Sequence, residues 1–470
     1  PGGLRAIMPA MLYDDTIAAI ATPPGAGGVG MVRLSGPEAL PILERMFVPA
    51  RRGAWRPYRM RYGHVVTPAG ERVDEALAVY FRGPRSFTAE DVVEISCHGG
   101  PLVLARVLEL ALGHGARRAE PGEFTMRAFL NGRIDLTQAE ATLDVIEART
   151  AAGLALAQAQ LGGWLAAELR GVRERLLGPL AYCTALVDFP EDEVEAQDVA
   201  GPLVEALAAV ERLLAGAEQG IIYRNGARTA IVGLPNAGKS SLLNALLRVE
   251  RAIVTPIPGT TRDTLEETAN LGGVPVALVD TAGIAETDDP VERLGVARSR
   301  QALAQADLAL LVVDITKVPD DEERAVAALT EGKPTVLVLN KLDLLAAGRP
   351  QADVAREWSS VRDAPFDATV LVSARTGEGI DALAQEIARL LLGGAVVAGE
   401  PLVTSARHRD ALARAAEHLR DALAGHARGV SADLLAVDIT AAVAALGEIT
   451  GETVGDDLLN TIFSRFCIGK

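Results

Sequence analysis

The spacing of hydrophobic and polar positions divides this chain of 470 residues into stretches of different period. Over residues 14–132, short strand-like apolar runs at 16–21, 30–34 and 92–95 mix with helical stretches, and the first two flank the glycine-rich turn TPPGAGGVG. That mixture predicts a small α+β domain. From Leu136 the apolar spacing becomes helical, through LTQAEATLDVIEART and on to 183–187, in an Ala- and Leu-rich stretch that predicts a helical bundle. An acidic break, DFPEDEVE at 188–195, precedes a further helix over 203–220. Buried-looking strand runs follow at 229–232, 276–279, 335–339 and 368–372. A Gly/Val/Pro linker, GGAVVAGEP at 393–401, then leads back into helices, SARHRDALARAAEHLRDALA and SADLLAVDITAAVAALGEIT. The simplest arrangement packs the helices on both sides of the strand-rich segment into one bundle. The segment between them is then an insertion whose state is transmitted through both connections. No internal repeat is evident.

The strand-rich segment carries the chemistry. Residues 233–240 read GLPNAGKS, a G-x-x-x-x-G-K-[ST] loop between a strand run and a helical run. A glycine-rich turn exposes successive backbone N–H groups to a phosphate, and the helix N-terminus behind it adds partial positive charge. Asn236, Ala237, Gly238, Lys239, Ser240 and Ser241 form this candidate cradle, with Lys239 reaching the β- and γ-phosphates and the Ser240 hydroxyl holding Mg²⁺. Asp280, Thr281, Ala282 and Gly283 follow a second strand, with the carboxylate placed to reach Mg²⁺. Asn340, Lys341, Leu342 and Asp343 follow a third. The Asp343 carboxylate can accept two hydrogen bonds from guanine N–H groups, which adenine does not offer. Ser373 and Ala374, with Arg375 beyond them, form a base-side loop after a fourth strand. In this order the elements make a guanine-nucleotide domain, and Asn340 with Asp343 oppose an adenine-specific ATPase.

Composition sharpens the picture in three ways. Arginine supplies nearly every positive charge, and the five lysines are Lys239, Lys317, Lys333, Lys341 and Lys470. Two of them sit in the nucleotide motifs, where a compact ammonium is not replaceable by a planar guanidinium, and Lys470 becomes suspect by the same logic. The net charge of −16 is uneven: residues 1–133 hold 16 Arg against 13 Asp and Glu, a net of +3, so the remainder carries −19. That balance disfavours a broad basic nucleic-acid face. One local exception interleaves Arg51, Arg52, Arg56, Arg59 and Arg61 with Trp55, Tyr58 and Tyr62, which reads either as an RNA-stacking patch or as a subunit contact. The three cysteines, Cys97, Cys183 and Cys467, form no CxxC pair and fit a reducing cytoplasm. No apolar run is long enough for a membrane span, and no leader pattern opens the chain. Residues 1–10 read as an extension ahead of a homogeneous part that begins near Met11.

Hydrolysis poses a problem. Many GTPases place Gln after the DxxG motif to orient the attacking water, and here that position is Ile284. Two substitutes are visible. The switch-like loop Thr255, Pro256, Ile257, Pro258, Gly259, Thr260, Thr261 offers hydroxyls and carbonyls; Thr261 would complete the Mg²⁺ shell, and the other oxygens would cage a monovalent cation beside the phosphates. The second is an acid in ETDDPVERLG, where spacing alone leaves Glu286, Asp288, Asp289 and Glu292 open.

GLPNAGKS, TPIPGTTRD, DTAG, NKLD and the terminal FCIGK together resemble the MnmE (TrmE) family of bacterial GTPases that modify the wobble uridine of certain tRNAs. TPPGAGGVGMVRLSG, RSFTAEDVVEISCHGG, PGEFTMRAFLNGRIDLTQAEA and ITGETVGDDLLNTIFSRFCIGK extend the match over essentially residues 14–470. The resemblance implies a multidomain α/β and α chain. An N-terminal α+β folate-binding and dimerisation domain would span 11–132, and a helical domain 133–225 and 393–470. A doubly wound Ras-like GTPase domain would be inserted at 226–392. It implies a cytoplasmic homodimer that works with the FAD protein MnmG (GidA) on tRNA, with no membrane contact. Its cofactors would be GTP, Mg²⁺, K⁺ and a formyl- or methylene-tetrahydrofolate. Family positions fall on Arg33, Glu94, Arg133 and Lys470 for folate, and on Asn236, Thr255, Ile257 (through its carbonyl) and Thr260 for potassium. Arg133 stands where Lys is common, which keeps charge but changes geometry. Glu292 matches the catalytic acid, and Cys467 the terminal cysteine, with either a chemical or a packing role. Ala285 and Ala26 depart from residues common in the family. The rival class is a GTPase switch that assembles ribosomes, which has no need of this N-terminal domain or of a terminal Cys-Lys.

Overall fold

A computed structural model describes residues 14–189, 195–249, 267–280, 302–345, 349–394 and 401–469. The chain forms two compact units, one joining Pro1–Ile146, Gln160–Ala206 and Arg414–Lys470, the other Glu147–Ala159 and Leu207–Ala413.

The first unit is built on strands β1 (Ile17–Ile20), β2 (Gly27–Ser35), β3 (Phe47–Pro49), β4 (Arg61–Val66), β5 (Arg72–Phe81), β6 (Val92–Gly99) and β7 (Arg117–Arg118). They lie in the order β3-β4-β5-β6-β2-β1-β7. All neighbours are antiparallel except β1 and β7. Period-two alternation sends Val32, Leu34, Val93, Ile95, Ala76 and Ala78 to one face. Helices Ala39–Met46 and Pro101–Gly113 cover that face with Ile42, Leu43, Leu104 and Val107. The glycine-rich turn is shorter than its sequence suggests, because β2 already begins at Gly27 and pairs with β6 through an irregularity between Gly27 and Gly30. Glycine permits this: a Cβ on Gly99 would lie 2.6 Å from the Gly27 carbonyl oxygen, and one on Gly30 would lie 2.7 Å from Leu104.

Helical spacing is equally direct. Leu165, Leu169, Val172, Leu176 and Cys183 form one buried stripe on helix Trp164–Asp188. Leu435, Ile439, Ala442, Leu446 and Ile449 form another on helix Ala432–Thr450. The two helices, from opposite sides of the strand-rich segment, pack on each other. The helix expected over 203–220 is instead two, Ala200–Ala215 and Ala217–Asn225. They part at Gly216, where a Cβ would meet the Leu402 side chain at 2.6 Å.

The second unit holds β8 (Ala227–Val232), β9 (Glu267–Leu271), β10 (Val274–Asp280), β11 (Leu308–Asp314), β12 (Thr335–Asn340) and β13 (Ala368–Leu371). β9 and β11 go beyond the four runs singled out in the sequence. The order is β13-β12-β11-β8-β10-β9, parallel throughout except for edge strand β9. Ile231, Leu310, Val312, Val336 and Val338 face helices Lys239–Val249 and Ile380–Leu391. Their neighbours Ala230, Val232, Leu311, Val313 and Leu337 face Val354 and Trp358 of helix Gln351–Ser359. A sheet buried on both faces explains why these strands read as unbroken apolar runs. The chain places β10 on one side of β8 and then crosses to β11 on the other, which opens a crevice at the carboxyl end of β8.

One buried ion network secures the first unit. Arg127, 2% exposed, reaches Asp15 at 2.5 Å, Glu123 at 3.0 Å and Glu90 at 3.3 Å. Arg117 bridges Asp15 at 2.7 Å and Glu123 at 2.6 Å. Burial raises the Asp15 and Glu123 carboxyls, but hydrogen bonds from the two arginines outweigh it and hold both below their ordinary values of 3.8 and 4.5. Their stabilisation is complete above those values and is lost as pH falls through the lower native ones. The unfolding midpoint of this unit is therefore expected to drop below about pH 4. Glu123→Gln, which leaves the buried guanidinium short of an anion, should cost about 3–5 kcal/mol at neutral pH and flatten the acid limb. Calorimetry from pH 3 to 7 checks both; an unchanged Glu123→Gln midpoint would contradict the network's role.

Candidate functional site

The loop after β8 needs glycine twice. Gly233 has φ +153°, and a Cβ there would sit 2.2 Å from the Val312 carbonyl oxygen of β11. Gly238 has φ +97°, and its Cβ would sit 2.3 Å from the Asn340 amide nitrogen. Asn236 between them takes a left-handed φ of 65°, a conformation that Asn tolerates better than most residues. The turn thereby brings its backbone round to the first residues of helix Lys239–Val249, where Ser240 and Ser241 are exposed and Ala237 is buried. Lys239 is itself buried, and its ammonium donates to the Gly233 and Leu234 carbonyls at 2.9 and 2.8 Å, across the loop.

Asn340 ends β12 and joins this loop to the base side. Its amide N–H donates to the Ala237 carbonyl at 2.9 Å, and its carbonyl accepts from the Ala374 backbone N–H at 3.1 Å. Lys341 takes a left-handed φ of 70°, which turns the chain out of the strand. Leu342 is tied back by its N–H to Val372. The Ser373 hydroxyl donates to Asp343 at 2.7 Å, and Arg375 lies 3.8 Å from the same carboxylate. Asp343 is thus a fixed, oriented anion at the crevice rim. That anion is complementary to paired N–H donors on a base edge.

Asp314 completes the site and was not singled out from the sequence. It ends β11, accepts from Thr316, and pairs with Lys341 at 2.6 Å. Burial raises its carboxyl, but Lys341 and Thr316 bring it below the ordinary value. The signal was present: an acid closing a fully apolar strand, LALLVVD, as Asp280 closes β10.

A second constellation lies in the first unit. Arg33 on β2 faces Glu94 on β6 in register, and the pair is closed at 2.7 Å. The Arg33 guanidinium lies 5.6 Å from the Phe87 ring centroid and 5.8 Å from that of Phe124, and Arg133 lies 5.2 Å from Phe87. Arg33 also donates to the Gly469 carbonyl at 3.3 Å. Residues 463–469 are therefore seated here. Phe463 and Phe466 pack with Phe129 and Leu136, and Gly122 has φ +69° because the Phe463 carbonyl lies against it. Arg33, with its partner Glu94, thus lies against Phe87 and Phe124, and Arg133 against Phe87; neither phenylalanine is apparent from the sequence. Two cations, one carboxylate and aromatic faces suit a flat heterocycle carrying acidic groups. Cys467, two positions before Gly469, is exposed, whereas Cys97 is buried and its thiol is pushed up to about 11, by burial first and Asp74 second.

Thr255, Pro256, Ile257, Pro258, Gly259, Thr260, Thr261, Thr281, Ala282, Gly283, Glu292 and Lys470 lie outside the described residues. Asp280 is placed only as the last residue of β10, opposite Ile231. Among the described residues no group of three His, Cys, Asp or Glu side chains would hold a metal, and no helix is long and apolar enough to cross a membrane.

Sequence comparison covers the chain twice over. Residues 16–133 match the family described as the GTP-binding protein TrmE N-terminus, and residues 136–467 match the MnmE helical domain. A relative in Roseiflexus castenholzii, named tRNA modification GTPase MnmE, is 69% identical over 98% of this chain and 100% of its own length. One of the same name in Chloroflexus aurantiacus is 61% identical over 97% and 100%. A crystal structure of Aquifex aeolicus Era is 28% identical over 41% of this chain and 66% of that one, with TM-score 0.29, a partial likeness only.

The Asn340 ties give a direct expectation. Asn340→Ala leaves the Ala237 carbonyl and the Ala374 N–H without this partner; about 1.4–2.8 kcal/mol of that cost falling on the bound state should lower GTP affinity roughly 10- to 100-fold. Gly238→Ala, at a positive φ and against the same amide, should fall at least as far. Asp343→Asn should move preference from guanine toward xanthine nucleotides. Titration with fluorescent GTP and XTP analogues checks all three, and unchanged GTP affinity in Asn340→Ala would contradict the coupling.

Proposed function

The chain belongs to the MnmE/TrmE family of GTP hydrolases, and from that premise we propose that it is a tRNA modification GTPase. Working with the FAD protein MnmG, it adds an aminomethyl or carboxymethylaminomethyl group to carbon 5 of the wobble uridine. The observation that carries the modifying reading over a pure assembly switch is the seat Arg33 gives to residues 463–469. The Gly469 carbonyl accepts from Arg33, which is paired with Glu94, and Cys467 two positions earlier is exposed. A timed switch needs no such constellation.

In this reading the folate-type donor is held by Arg33, Glu94, Arg133 and Lys470, and when bound it supplies the one-carbon unit. The reading divides the chain into an N-terminal folate and dimerisation domain at 11–132, a helical domain at 133–225 and 393–470, and a GTPase domain at 226–392. The chain acts as a cytoplasmic homodimer.

In the GTPase domain, Lys239 and the N–H groups of Ala237 through Ser241 bind the phosphates. Ser240 and Thr261 hold Mg²⁺, which would neutralise charge on the phosphate oxygens. Asn236, Thr255, the Ile257 carbonyl and Thr260 hold K⁺, and Thr281 to Gly283 border the γ-phosphate. Leu342, Lys341 and Arg375 flank the base that Asp343 selects, and Glu292 orients water where Ile284 cannot. The potassium ion would neutralise charge developing on the phosphates as an arginine finger does, a role worth about 10³–10⁵ in rate where an arginine performs it.

Nucleoside mass spectrometry of tRNA from cells lacking the chain tests the reading. Carbon-5 aminomethyl-type wobble uridines should vanish, return with wild type, and not return with Glu292→Ala. Unchanged modification alongside abnormal ribosomal subunits would instead favour the assembly switch. In purified protein, replacing K⁺ by Na⁺ should lower hydrolysis by at least roughly tenfold, while GTP binding persists.

A further inference from the structure

The arginine-rich segment before β4 is a built surface. Trp55 packs on Phe47 with ring centroids 5.7 Å apart, and Arg61 lies over Trp55 at 4.9 Å. Arg61 donates to the carbonyls of Gly53 and Arg51 and so braces the loop from beneath. Tyr58 takes a φ of +61°, a left-handed conformation that is strained for a bulky side chain. It is held there by its N–H on the Tyr80 carbonyl and by its hydroxyl, which donates to the Arg82 and Arg85 carbonyls at 3.3 and 2.8 Å. The turn carrying Arg82 and Arg85 is thereby fixed beside the loop carrying Arg51, Arg52, Arg56 and Arg59.

These six arginines are all exposed, and none has a carboxylate partner among the described residues. Between them Tyr58, Met60 and Tyr62 stand 51%, 58% and 49% exposed. Uncompensated cations with exposed rings in a chain of net charge −16 are a local reversal of the overall field. Backbone strain kept at such a place points to use of the surface.

We propose that this face binds RNA: the arginines contact phosphates, and the tyrosine rings give unpaired bases a stacking surface, so that this edge of the first unit docks the tRNA. The proposal rests on the reading of tRNA as the substrate. Charge favours a polyanion over a second copy of the chain, because a two-fold contact centred here would set arginines against arginines. Exposed rings among phosphate-binding cations are the pattern by which proteins hold single-stranded loops.

The test is full-length Arg56→Gln/Arg59→Gln and Arg56→Glu/Arg59→Glu, with labelled tRNA titrated across a salt series and oligomeric mass measured by sedimentation. The neutral pair should weaken binding at low salt by roughly tenfold or more and make the slope of log K against log salt shallower by about 2. The charge-reversed pair should weaken it further, with mass unchanged in both. Tyr58→Phe removes the hydroxyl ties and should weaken binding without altering the slope. Unchanged affinity and slope beside wild type that binds tRNA would overturn the surface assignment alone. Loss of the oligomer with tRNA binding retained would make the patch a subunit contact. Wild type that fails to bind tRNA at any salt would overturn the substrate reading and this proposal together.

Discussion

The nucleotide site depends on one side-chain amide. Asn340 donates to the phosphate loop and accepts from the base loop, so two segments from different strand ends share a single geometry. Gly238 is glycine because that amide occupies the space a methyl group would need. The amide pins loops that would otherwise vary independently, and it does so at the carboxyl edge of a sheet buried on both faces. A loop so fixed presents its N–H groups to phosphate without having to be ordered when the ligand arrives. Asp343 and Asp314 extend the same design outward. The first is oriented by Ser373, and the second anchors the lysine that lies between Asn340 and Asp343.

The first unit solves a different problem by related means. Here aromatic packing around Phe463 and Phe466, and the Arg33 contact to Gly469, hold residues 463–469 against the sheet of the first unit. Beside it, Arg127 is paired with Asp15, Glu90 and Glu123, so the helix bearing Phe124 is fixed relative to β1. That places the ring next to Arg33. Arg33, closed on Glu94, thus lies against the Phe87 and Phe124 rings, and Arg133 against Phe87. The comparisons place the chain in a family of tRNA-modifying GTPases.

Much of the GTPase unit was legible because its demands on sequence are local. A phosphate loop needs glycines at fixed places, a guanine site needs Asn and Asp at fixed spacing, and buried parallel strands read as unbroken apolar runs. β11 and its terminal Asp314 carry the same signature as the strands that were singled out. Only the absence of a familiar motif after the strand concealed them. The first unit was less legible. Phe87 and Phe124 lie 37 positions apart and meet at Arg33 only through the sheet and the helix Glu123–Leu130. The break at Gly216 depends on Leu402, far along the chain. Such contacts are set by tertiary packing and leave no periodic trace. Arg33, Glu94 and Arg133 were reached through family resemblance, and only Arg33 and Glu94 share a strand pairing that register alone would disclose.

The most direct test of the central claim is reconstitution with an isotopically labelled one-carbon unit. The purified chain and MnmG would be combined with unmodified tRNA, GTP, K⁺ and labelled methylene-tetrahydrofolate, and the label in the tRNA would be located by mass spectrometry. The account predicts label in the substituent carried on carbon 5 of the wobble uridine, dependent on GTP and lost when Arg33 is replaced by Ala. Steady GTP hydrolysis with no label entering the tRNA would contradict it.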